Sequence, residues 1–271
     1  FLWDEQKWRD FYFRIADEAP VDRVVIGDTV CSKRSHFHEE VFADVVERLQ
    51  SAGKEVVLST LALATLDREI KATAALAAQA EFPVELNDLS GLQLARHRHM
   101  IGPLVNVYNA ATARLLFNRG ATTVCLPPEL PFASVQAICG ALPENDVEIM
   151  AFGRLPLAIS ARCAHARAKG RTKDNCQFVC GEDPDGLALK TLDRQSFLVL
   201  NGVQTVSQTC QVLLAELSDL HDAGVTGFRL SPQDCDMVAV ADVHRQVLDK
   251  TIEIPEALAA LRQAYPAVEF S

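Results

Sequence analysis

The sequence predicts a TIM-type (β/α) barrel, on three observations. Short β-branched runs alternate with longer amphipathic helices through most of the 271 residues. Strict strand–helix alternation implies a parallel sheet covered by helices. No glycine-rich phosphate loop follows any of the strands, which disfavours the open doubly wound alternative.

The elements follow in order. Residues 4–16 read as a helix, with Trp8, Phe11, Phe13 and Ile15 largely on one side. Residues 23–27 form a buried strand, and 37–52 a helix with Val41, Val45, Val46 and Leu49 at helical spacing, stopped by Gly53. Strands are expected at 55–59, 83–86, 104–108, 122–126 and 147–151, with helices at 66–80, 90–98, 111–118 and 132–141 between them. The rhythm breaks at about 153–206, an insertion after the seventh strand of the barrel. It holds the turn Asp183-Pro184-Asp185-Gly186, a hairpin with strands near 187–192 and 197–200, and the turn dipeptide Asn201-Gly202. A helix over 210–223, a strand over 225–230 and helices over 236–250 and 255–265 complete the pattern. Phe1-Leu2-Trp3 reads as the tail of one more strand, which brings the count to the eight that close a barrel. The whole of 1–271 is read as one barrel domain carrying the insertion.

With 49% hydrophobic residues the chain can bury a sizeable core, and its 23% charged residues are ordinary for a soluble protein. A net charge of −10 repels phosphate backbones and argues against general nucleic-acid binding. The one basic run, 167–173, reads as a solvated loop. No apolar run approaches the length of a membrane span.

There are eight cysteines. Cys125, Cys139, Cys210 and Cys235 lie in apolar settings, where free cysteine packs as a small hydrophobe. Cys31, Cys163, Cys176 and Cys180 lie in polar, loop-like settings. A chain with its own core does not need a disulfide framework, so the split predicts reduced thiols, a cytoplasmic location and a metal function for the second group. Cys31 follows the strand 23–27 and the other three follow 147–151, so all four hang from the strand C-terminal ends, where barrel sites collect. Their spacing lacks the two matched close pairs of common zinc folds. A [4Fe-4S] cluster spreads its ligands more widely and is favoured over structural zinc, with redox or unligated thiols as a third option. Lys33, Arg34, Arg162, Arg167, Arg171 and Lys173 flank these cysteines, with a charge suited to an anionic cluster.

The same residues carry a family likeness. The segments 27–34, 58–63, 152–163, 173–180, 200–205 and 229–232 resemble, in order, those of the U32 peptidase-like family. The resemblance implies a [4Fe-4S] cluster on Cys31, Cys163, Cys176 and Cys180, and a heterodimer with a related UbiU-like protein. It also implies a lipid carrier protein as associate and a part in the oxygen-independent, anaerobic hydroxylation steps of ubiquinone biosynthesis, on a quinone-precursor substrate. Proteolysis is not implied, and no serine or cysteine nucleophile has a plausible local base. Other members hydroxylate RNA, so an RNA-hydroxylation accessory is one alternative. A zinc-stabilised interaction module is another.

The remaining candidates have plainer readings. His36 and His38 read as a solvated helix start near Cys31, and His97 and His99 as cations complementing a helix C-terminus. Asp67, Arg68 and Glu69 read as surface. Asn106, Tyr108 and Asn109 at a strand end are candidate pocket residues. Arg154 and Arg229 are candidates either for holding a carboxylate or for a structural ion pair.

Overall fold

A computed structural model describes residues 1–271. Asp4 caps the first helix by accepting a 2.8 Å hydrogen bond from the Lys7 amide, and α1 (Glu5–Glu18) leads into β1 (Arg23–Ile26). Then come α2 (Glu39–Ser51), β2 (Glu55–Ser59), α3 (Asp67–Ala78), β3 (Val84–Leu86), β4 (His99–Ile101), α4 (Ala110–Asn118), β5 (Ala121–Cys125) and α5 (Phe132–Gly140). A long strand, β6 (Asp146–Ile159), enters the insertion, which holds α6 (Ala164–Ala168), β7 (Leu187–Lys190), β8 (Ser196–Asn201) and β9 (Gln204–Val212). The chain ends with α7 (Leu217–Asp222), β10 (Gly227–Leu230), α8 (Met237–Leu248) and α9 (Ile254–Ala264).

Strands β1 to β6 pair in sequence, all parallel, and β10 adds to β6 in parallel. The sheet curls but does not close, because β10 does not pair with β1 although both border one cavity. Helix α1 packs against α2 and α8 on that side, and its Trp8, Phe11, Tyr12 and Ile15 face the cavity. Leu2 and Trp3 are buried but form no strand, so the expected eighth strand is absent and the insertion follows the sixth strand along the chain.

Strand β6 joins the parallel and antiparallel parts of one sheet. Its first part pairs with β5 and β10, and Phe152 to Ile159 pair antiparallel with β9, which continues through β8 to β7. The expected hairpin is β7–β8, and Asn201-Gly202 turns β8 into β9, with Gly202 at φ +65°. The helix expected over 210–223 is wrong in its first half, since β9 runs to Val212 and Cys210 bridges to Phe270. The strand expected at 104–108 lies earlier, as β4. Pro103 has no N–H for a ladder and opens a 3-10 turn instead. Residues 90–98 hold only the 3-10 turn Leu89–Gln93.

Side chains alternate across the sheet. Val24, Ile26, Val56, Ala151 and Phe152 pack outward with α1, α2, α8 and α9, while Val84, Leu86, Ile101, Val124, Val147 and Ile149 pack outward with α4 and α5. The inward face mixes apolar side chains such as Val25 and Met150 with charged ones. Glu85, Glu148 and Arg229 are the central residues of Val-Glu-Leu, Val-Glu-Ile and Phe-Arg-Leu, and they meet inside the curl, where Arg229 pairs with both carboxylates. Burial opposes the charge on Arg229, and the two carboxylates more than restore it.

Two outcomes follow from these buried groups. Arg229→Met leaves two carboxylates buried without their cation, and urea unfolding should show a loss of about 3–5 kcal/mol. His244 is buried on α8, with burial holding its pKa down from 6.5 to about 4. The unfolded chain therefore binds the proton first, and this contribution is complete above pH 6.5 and lost as pH falls toward 4. His244→Gln should flatten the fall in urea midpoint between pH 7 and pH 5 relative to the wild type.

Candidate metal centre

The loop after β1 is set by a close approach. Gly27, at φ +134°, lies where a Cβ would meet the Ser59 carbonyl oxygen at 3.0 Å, so only glycine lets the chain turn there. Cys31 follows in this loop. From the insertion, Cys163 caps α6, its Sγ accepting from the Ala166 amide at 3.3 Å. Cys176 and Cys180 flank Gln177 and Phe178, which sit in the left-handed region at φ 46° and 53°. Two successive non-glycine residues there are strained, and such strain persists where the surroundings hold it.

Those surroundings are visible. The Phe178 ring packs edge-on against Phe37 with centroids 4.8 Å apart, and against His36 at 5.0 Å. Lys33 Nζ donates to the Lys173 carbonyl at 2.7 Å. The segment bearing Cys31 is thus tied directly to the segment bearing Cys176 and Cys180. His165, fully buried, lies 3.1 Å from the Leu200 carbonyl oxygen through Nδ1 and 3.0 Å from Asp183 Oδ2 through Nε2. It locks α6 onto β8 and onto the end of the Cys180 turn.

All four cysteines line one small apolar hollow of about 20 Å³, together with Lys33, Arg34, Ala166, Lys173, Phe178, Val179 and Gly202. They share it without converging on one point, as no three Cys, His, Asp or Glu side chains are gathered closely enough to hold a metal ion. Burial raises the pKa of Cys31 and Cys163, against the opposing pull of backbone N–H groups and Arg34. Of the flanking cations, Lys33, Arg34 and Lys173 reach the hollow, whereas Arg162, Arg167 and Arg171 do not line it. The other four cysteines lie elsewhere, and all eight are free thiols. Burial lifts Cys210 to about 12 and raises Cys125, Cys139 and Cys235 as well.

Beside the hollow, the inside of the curled sheet is a cavity of about 1210 Å³. Asp28, Ser59, Asn87, Arg154, Asn201, Gln204 and Gln233 line its upper end. Burial raises Asp28 to about 6 against the pull of Arg34.

Several sequence expectations change here. His38 is buried and stacks on Trp8 at 4.5 Å, so it is not solvated, whereas His36 is exposed as expected, its Nδ1 2.6 Å from the Lys33 carbonyl oxygen. His99 is a buried strand residue and not a helix-end cation. Glu69 is buried, accepting from Ser32 Oγ at 2.6 Å and from the Thr65 and Leu66 amides. Burial works against its charge, and these donors lower its pKa nonetheless. Asn106, Tyr108 and Asn109 line neither hollow nor cavity, and Asn109 caps α4. Arg154 takes the structural option, bonding Asp185 at 3.0 Å and backbone carbonyls of β9. His165, Phe178 and Asn201 were missed. The histidine two residues after Cys163 and the Asn-Gly turn were the available signals.

His165→Ala removes the peg between α6 and its neighbours. The expected result is several-fold faster trypsin cleavage within 167–173 of an otherwise folded chain, read by mass spectrometry of the fragments.

Residues 12–268 match the family model described as Peptidase family U32. With nearly its full length matched, the chain belongs to the U32 peptidase family.

Proposed function

We propose that the chain is an iron–sulfur protein of the UbiV type. In this reading it is a non-proteolytic subunit that acts with a UbiU-like partner and a lipid carrier protein in oxygen-independent hydroxylation during ubiquinone biosynthesis. The observation that carries the reading is the single hollow shared by Cys31, Cys163, Cys176 and Cys180.

The donor set fits a cluster. Four sulfurs, an apolar floor of Ala166, Val179 and Val203, and cations from Lys33, Arg34 and Lys173 suit an anionic, thiolate-ligated group. One zinc ion would require four sulfurs about 2.3 Å from a common centre, whereas a cluster spreads its thiolate ligands more widely. Cys31, Cys163, Cys176 and Cys180 would hold such a group, and each of the four thiols would have to lose its proton to ligate iron. The cluster supplies one-electron chemistry when bound, and ligation by four cysteines leaves no iron site open. The chain's own part is to hold those ligands, exclude water with Phe178 and Val179, and keep the group against the cavity inside the curled sheet. The histidines bond backbone carbonyls and Asp183, and no serine, threonine or cysteine side chain.

Anaerobic iron and sulfide quantification on the native chain and on each Cys→Ala variant tests this. Iron should be lost on substitution of Cys31, Cys163, Cys176 or Cys180 and retained on substitution of Cys125, Cys139, Cys210 or Cys235. A colourless protein carrying one zinc per chain would overturn the proposal.

A further inference from the structure

The strongest unexplained group is Arg34. Its side chain is 3% exposed. It makes one side-chain hydrogen bond, from Nη2 to Asn201 Oδ1 at 2.8 Å, and its Nε has no partner. The buried Arg154 and the half-buried Arg229 each hold a carboxylate, whereas Arg34 enters no ion pair. An arginine does not shed its proton to escape burial. A desolvated guanidinium without an anion is costly, so its presence points to a negative charge that belongs beside it.

Its position indicates which one. Arg34 lines the four-cysteine hollow and also the cavity inside the curled sheet, standing between them. Gly202 in the β8–β9 turn makes room for it, since a Cβ there would lie 2.6 Å from Nη2. Among the titratable neighbours on the cavity side, Asp28 feels the charge of Arg34 but forms no ion pair with it, and burial raises its pKa to about 6, weakening it as a counter-charge. On the other side stand four sulfurs that become thiolates on loading with iron.

We infer that Arg34 is a positioning residue whose guanidinium, hooked by Asn201, is the fixed counter-charge of the four-thiolate cluster and the wall through which the cluster's charge is felt in the cavity. The inference rests on the iron–sulfur reading above. A buried cation beside the cluster stabilises its more negative, reduced form. Arg34 therefore raises the reduction potential and slows iron loss, as outer-shell partners of metal ligands do.

The test compares wild type, Arg34→Gln, Arg34→Lys and Asn201→Ala after anaerobic reconstitution with iron and sulfide. The midpoint potential is followed by electron paramagnetic resonance, and iron release is timed with a chelator. Arg34→Gln should give a more negative potential and about tenfold faster iron release. Arg34→Lys should restore most of both, and Asn201→Ala, which unhooks the charge without removing it, should fall between. A merely structural arginine would lower the melting temperature and leave the potential unmoved, and that result overturns the inference. Should Arg34→Gln fail to fold, an unchanged potential in Asn201→Ala overturns it equally. A wild-type chain that takes up no iron overturns the cluster reading and this inference together. A wild type that loads, with variants indistinguishable from it, overturns this inference alone.

Discussion

One guanidinium between two carboxylates governs the inside of this fold. Arg229 on β10 reaches Glu148 on the neighbouring β6 and Glu85 on β3, farther round the curl. A flat sheet would hold β3 and β10 far apart. The contact therefore requires curvature, and it satisfies the charges that the curvature buries. Arg23 extends the network to Glu55 at 2.6 Å and approaches Glu148 at 3.9 Å. An interior of this kind differs from the branched aliphatic layers that fill many parallel barrels. It leaves a cavity of mixed lining with charges at its centre, and the main apolar cores lie outside it, under the helices.

Much of this was legible locally. Buried β-branched runs located β1, β2, β3, β5 and β6, and the helical spacing of Val41, Val45, Val46 and Leu49 located α2, because burial on one face leaves a periodic trace. The split of the cysteines into two chemical settings was also legible. Strand β4 was not, because His-Met-Ile sits in a basic stretch and offers too few residues for a period. The start of the 210–223 segment looked helical by composition, but its pairing with β6 decides its form, and pairing is a long-range fact. Closure of the ring failed for a similar reason. Whether β10 meets β1 is a pairing between strands far apart in the chain, which no strand pattern records.

The candidate centre shows the same division. Residue type and loop position marked the four cysteines. Their supports join positions far apart in the chain: Phe178 on Phe37, Lys33 on the Lys173 carbonyl, Arg34 on Asn201. Glu69 carried no sequence signal as a buried group, since its neighbours Asp67 and Arg68 are ordinary surface residues and only the fold brings Ser32 to it. Partners chosen by folding cannot be read from spacing, however distinctive the ligands are.

Strand β6 has a consequence for how such a chain can change over time. Its pairing with β9 slips twice, on either side of Pro156, while its ladder with β5 runs without a slip. A one-residue slip in a regular ladder turns every side chain to the opposite face, and in the first half of β6 that would carry Glu148 out of the interior. The irregular stretch around Pro156 is a natural place for length differences to be absorbed. The sheet that holds the ions and the outgrowth that holds three of the four sulfurs can thus be lengthened or trimmed separately, joined by one strand whose irregularity is concentrated around Pro156.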